Sequence, residues 1–194
     1  VATDRKGFVY AVGVENGVGF LRRYTSFGGA LPTHTFSPGV IPRAVAVTAE
    51  GGVYVAGETT GLSGRKEAFV SSYASSGAEQ WVNQFGSTGD AAAYGVAIDP
   101  NDPNRVVVVG ANSQQLRGQL SHGGWDAFAR QYGANGVLQW TQQIGSNTTD
   151  ELHAVAVDKT GRIVATGFTL GALPGEPSRG STPRVLLAQF DTTG

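Results

Sequence analysis

The chain has 194 residues, 15% of them charged, a formal net charge of -1, 29 glycines, and neither Cys nor Met. That balance sets up no field to draw in nucleic acid or an anionic membrane, and without Cys there is no disulfide or thiol chemistry. No run of about 18 apolar residues is present to span a membrane and no charged-then-apolar leader opens the chain, while 40% apolar residues suffice for a buried core.

In chain order, VATDRKGFVYAVG (residues 1–13) reads as an apolar strand, a polar turn and a β-branched strand closing on Gly. FLRRY (20–24) and a degenerate segment around 31–36 complete this first unit. AVAVTAEGGVYVAG (44–57) writes the hairpin again, with Val45 where Val1 falls, and EAFVSSY (67–73), the turn ASSG (74–77) and AEQWVNQFG (78–86) follow. The third unit is YGVAIDPNDPNRVVVVG (94–110), DAFARQY (126–132), GANG (133–136) and VLQWTQQIG (137–145). The fourth, AVAVDKTGRIVATG (154–167), RVLLAQF (184–190) and DTTG (191–194), has no Trp strand. Period-2 alternation between Gly-rich turns predicts four short antiparallel strands per unit, with units at about 1–43, 44–93, 94–153 and 154–194. Because the chain lacks Met and opens inside a repeat, it is expected to be a mature product or a piece of something longer.

Gly13, Gly57, Gly110 and Gly167 are 44, 53 and 57 residues apart, and Trp81 and Trp140 are 59 apart. Nearly all the drift lies in one connection. From the closing Gly to the first large apolar residue of the third strand there are 7, 12, 18 and 19 residues. In an up-and-down unit those connections emerge at the same end as the links between units, so one end is long-looped and the other trimmed. Gly57, Gly110 and Gly167 are expected at a sharp turn that ends strand two, and Gly77, Gly136 and Gly194 at positive φ.

A period of roughly 40–60 residues with four strands per unit predicts an all-β fold of β-propeller blades. The pattern AVAVD–G–VYVAG, then DAFxxxY–xxG, then W–x–Q–x–G with an Asp before the next unit, resembles the SBBP-type bacterial β-propeller repeat over essentially the whole chain. The resemblance implies that AVAV, GVAI and AVAV line a central axis, that the Trp strand is outermost, and that the protein is exported, periplasmic or at the cell surface. It brings no catalytic motif. The first unit departs from it: 31–36 has no Trp, and Pro38 and Pro42 interrupt the link. The strand left without a Trp partner at 184–190 leads us to expect an open arc of a larger ring, covered by further blades of the same chain or by another protein.

Candidate chemistry is sparse. Asp90 and Asp150 recur in the links GSTGD and GSNTTD, where they could hold a cation or, the favoured reading, cap their own loops. DPNDPN (99–104) lacks the Gly and the twelfth-position acid of a calcium loop and reads as an extended turn. His34, His122 and His153 have no ligand spacing and read as loop or surface residues, so no metal site is expected. ASSGAEQW resembles the sialidase Asp-box without its Asp, and the GxxxW spacing resembles the tryptophan-docking repeat of quinoprotein dehydrogenases. No GxSxG elbow organises a nucleophile. No catalytic residue, cofactor or membrane insertion is expected. The expected function is a non-enzymatic scaffold whose long-loop face carries Arg65, Lys66, Asp90, Arg117, His122, Trp125, Asp150, Arg179 and Arg184, since Arg and Trp among polar loops mark contact surfaces. The alternatives are a glycan-binding or glycan-processing module and a quinoprotein-like enzyme fragment.

Overall fold

The computed structural model describes residues 1–86, 88–177 and 182–194. Strands β1 (Ala2–Thr3), β2 (Val9–Glu15), β3 (Val18–Tyr24) and β4 (His34–Thr35) form the first sheet. The second holds β5 (Ile41–Val47), β6 (Val53–Thr60), β7 (Lys66–Tyr73) and β8 (Glu79–Phe85). The third holds β9 (Ala91–Asp99), β10 (Asp102–Asn112), β11 (Asp126–Tyr132) and β12 (Leu138–Ile144). The fourth has three strands, β13 (Asp150–Val157), β14 (Ile163–Thr169) and β15 (Arg184–Phe190). All strand pairs within the sheets are antiparallel and in sequence order, and a 3-10 turn at Ala134–Gly136 is the one helical element among the described residues.

The repeat register is the one expected from sequence. Tyr10 pairs with Ala2 as Tyr54 pairs with Ala46, and Gly57, Gly110 and Gly167 pair with Phe69, Phe128 and Leu186. Trp81 and Trp140 are equivalent, opposite Ser72 and Gln131. First strands begin about three residues earlier than the AVAV motif, at Ile41, Ala91 and Asp150.

Alternation gives each sheet two apolar faces, and the sheets pack on one another in order. Tyr10 and Leu21 of the first sheet meet Val53, Val55 and Phe69 of the second. Tyr54, Ala56, Ala68 and Val70 meet Val106, Val108 and Phe128 of the third, and Val107, Val109, Ala127 and Ala129 meet Leu152, Ile163 and Leu186 of the fourth. The first strands β5, β9 and β13 touch in series, which is why they carry Ala, Gly and Val: larger side chains would collide where strands converge. On the fourth sheet the residues equivalent to Ala127 and Ala129 are Val185 and Leu187, 80% and 69% exposed.

Gly57, Gly110 and Gly167 do not end their strands, which run on for two or three residues. They sit opposite a β-bulge, and a Cβ on Gly110 would lie 2.0 Å from the Ala92 carbonyl oxygen. Close approach of two backbones, rather than a sharp turn, requires Gly there. Gly77, Gly136 and Gly194 do have positive φ.

Candidate functional site

The long connections join β6 to β7, β10 to β11 and β14 to β15, and each is fastened at its start to the link that precedes its sheet. Thr60 N donates to Gly39 O, Ser113 N to Asp90 O and Leu170 N to Thr149 O. Long loops and links therefore share one end of the stack. The loop after Asn112 is tied down further: Leu116 is buried in the core between the second and third sheets, and Gln143 Oε1 accepts from its N–H at 2.8 Å. The Asp126 carboxylate, fully buried, accepts from His122 N at 2.9 Å and Gln143 Nε2 at 2.7 Å. Leu116, although it sits in one of the long loops, is a plug.

The candidates divide by what they touch. Arg65, Lys66, Arg117 and His122 are exposed, with Leu62 and Leu120 beside them in the same loops. Trp125 is half-buried and its carbonyl accepts from Asp150 N. Asp90 Oδ1 accepts from Lys66 N at 2.9 Å, and Asp150 Oδ2, buried, accepts from Ser146 N at 2.6 Å and Ser146 Oγ at 2.8 Å. Asp150 thus caps its own loop, as expected, whereas Asp90 reaches across to the first residue of β7 rather than to its own loop. Arg184 is half-buried, donating to Gly171 O and lying 3.7 Å from Glu176. Arg179 lies outside the described residues. Among the described residues no three His, Asp or Glu side chains gather into a metal-binding group.

A second group at this end escaped the sequence reading. Strands β5, β9 and β13 each carry one bulged residue, Arg43, Tyr94 and His153, skipped by the ladder at the shifts Pro42/Ala44, Val109/Gly110 and Leu152/Ala154. A bulge re-aims a side chain, and these three form a row. The Arg43 guanidinium stands 5.5 Å from the Tyr94 ring centre, Tyr94 stacks on His153 at 4.8 Å and 7°, and His153 stacks on Phe168 at 5.8 Å. Glu58, buried, holds Arg43 and Lys66 on Oε1 at 3.0 Å each, and Glu151 Oε2 lies 2.8 Å from His153 Nε2. Burial, then the neighbouring Glu151, pushes the Tyr94 phenol up to about 12 against the opposing pull of Arg43. His153 is exposed, as the surface reading has it, but stands on a strand and stacks on Tyr94; His34, on a strand too, is half-buried against Tyr73. The signal was in the sequence: RAVAV, YGVAI and HAVAV each set a large polar or aromatic residue before the apolar run.

No family model and no curated protein matches the sequence. Among solved structures, a protein of unknown function from Bacteroides caccae superposes on 96% of this chain with a TM-score of 0.53 and 9% identity. This chain spans 58% of that protein's length, and the likeness is one of fold alone.

Proposed function

We propose that the chain is a non-enzymatic β-propeller arc of the SBBP repeat type, exported or held at the cell surface, whose long-loop end binds another protein. The observation that carries this is the one-sidedness of the molecule. Long connections and the Arg43–Tyr94–His153 row collect at one end, and short turns at the other. Exposed cations occur at both, Arg65 and Arg117 among the long loops and Arg5, Lys6, Lys159 and Arg162 on the short turns. Exposed Leu beside Arg and His in loops pinned by Asp90, Asp126 and Gln143 makes a pre-shaped contact surface that loses little entropy on binding. The uncovered Val185 and Leu187 support the open-arc reading, because their equivalents are the contact points between sheets. A glycan-binding module is the second reading, favoured by aromatic rings at Tyr94, His153 and Phe168 beside Glu151.

The test is charge reversal on exposed residues, Arg65→Glu with Arg117→Glu, because shortening the loop would remove the buried Leu116. Loss of the partner that co-purifies from the native source, with an unchanged fold by circular dichroism, is the expected result. A partner retained by that variant and lost by Val185→Lys with Leu187→Lys overturns the long-loop assignment. Saturable glycan binding that Tyr94→Ala removes would replace it with the second reading.

A further inference from the structure

The outer strands of the second and third sheets each press an indole onto a turn of the next sheet. A Cβ on Gly136 would lie 2.8 Å from Cδ2 of Trp81, and one on Gly194 would lie 3.0 Å from Cδ2 of Trp140. Trp140 Nε1 also donates to the Thr192 carbonyl, two residues before that glycine. Gly77 is the equivalent turn residue of the second sheet, and nothing lies within 4 Å of where its Cβ would be.

The first sheet explains the gap. Trp81 and Trp140 stand three residues before Gln84 and Gln143, which pair with Phe69 and Phe128. Thr35 pairs with the equivalent Phe20, and three residues before it is Pro32. A cavity of about 180 Å³ remains, walled by Tyr10, Arg23, Pro32, His34, Tyr73 and Gly77. That exceeds the roughly 150 Å³ of an engineered cavity that takes benzene. Ser75 O, the counterpart of Thr192 O, stands at its lip and accepts from Arg23 Nη1 at 3.2 Å, leaving its second lone pair for another donor. Beyond His34 and Tyr73, whose rings are 5.0 Å apart, a second cavity of about 260 Å³ continues past Phe36, Val82 and Gln84, because β4 is only two residues long.

We propose that this cleft between the first and second sheets binds a tryptophan side chain of a partner polypeptide, its indole on the Gly77 turn and its flanking chain extended along the second cavity. The occupant is argued from the molecule itself: at both other interfaces the same place holds an indole, and an extended strand delivers it. The indole N–H meets Ser75 O, and the Arg23 guanidinium faces the ring. The indole subsite lies on the short-turn side, while the second cavity runs toward Val40 and Thr59; neither uses Arg65 or Arg117, so the proposal stands or falls separately from the long-loop reading.

The probe is a synthetic peptide with the β12 sequence, LQWTQQI, titrated into isotope-labelled protein. Expected are saturating amide shifts confined to His34, Ser75 and Gly77, and binding about tenfold weaker or more for the peptide with Trp→Ala. Pro32→Trp, which supplies the indole from the chain itself, is expected to abolish those shifts and raise Tm by a few degrees. Ser76→Trp, on the exposed turn, blocks the lip without changing a buried residue and is expected to abolish them too. Absence of shifts in the cleft, equal binding of the Trp→Ala peptide, or retained binding by Ser76→Trp overturns the proposal. Free indole binding as tightly as the peptide makes this a small-molecule pocket and overturns the polypeptide assignment.

Discussion

Trp140 of the third sheet donates its indole N–H to the carbonyl of Thr192 in the fourth, at 3.2 Å, while its ring covers Gly194. One side chain thus joins two sheets by packing and by a hydrogen bond. Trp140→Ala is expected to destabilise the protein by about 2–4 kcal/mol in urea unfolding, below the full range for a buried Trp because the ring is half-exposed. Trp140→Phe, keeping the ring contact and losing the N–H, is expected to cost about half of that. Equal costs for the two variants would remove the packing contribution.

Glu58 is buried under two cations, so either one alone still compensates its charge. Lys66→Ala, at a half-exposed ammonium, is expected to cost under about 1 kcal/mol, and Arg43→Ala about the same. The double variant leaves a buried carboxylate unpaired and is expected to cost about 3 kcal/mol, more than the sum. Additivity in a double-mutant cycle would argue against a shared carboxylate.

Burial pushes the Tyr132 phenol up to about 12, with Arg130 opposing, and its hydroxyl has no hydrogen-bond partner among the described residues. Below pH about 10 the phenol is neutral in both states and stability is full. Between about 10 and 12 the unfolded chain loses the proton and the folded one keeps it, so stability falls as pH rises, by on the order of 2 kcal/mol at pH 12. Tyr132→Phe is expected to flatten part of that slope, the rest belonging to Tyr94, which is raised likewise. At pH 7 the variant is expected to be as stable as the parent or up to about 1 kcal/mol more so. An unchanged alkaline slope in chemical unfolding would contradict this.

Gly110→Ala places a methyl group 2.0 Å from the Ala92 carbonyl oxygen, which can move only if the bulge at Tyr94 moves. A loss of about 3 kcal/mol or more is expected, together with altered chemical shifts at Tyr94 and His153. Gly64→Ala, where φ is +78 and the surroundings are open, is expected to cost only about 1 kcal/mol. Similar costs at the two sites would remove the close-approach argument.

Sequence alone determined the order of the strands and the repeat register, down to Val1 matching Val45 and Trp81 matching Trp140, with strand ends falling a few residues from the motifs. These depend on local effects: period-2 alternation, turn sterics at Gly77, Gly136 and Gly194, and repetition that fixes each against the others. The end that carries the long loops was legible too, because connection lengths follow from strand order. Tertiary structure decided what each side chain does once sheets meet. Arg43, Tyr94 and His153 each precede a short apolar run in the sequence, but only the bulges of three converging strands set their side chains in a row. Asp150 caps its own loop because Ser146 N reaches it, Asp90 holds the start of β7 through Lys66 N, and Leu116 is a plug because it reaches the core between two sheets. Pro32 reads in sequence as a missing Trp; that it leaves a cleft depends on the Gly77 turn of the neighbouring sheet standing across from it. Contacts between units are set by packing across residues about fifty apart, and no local periodicity encodes them.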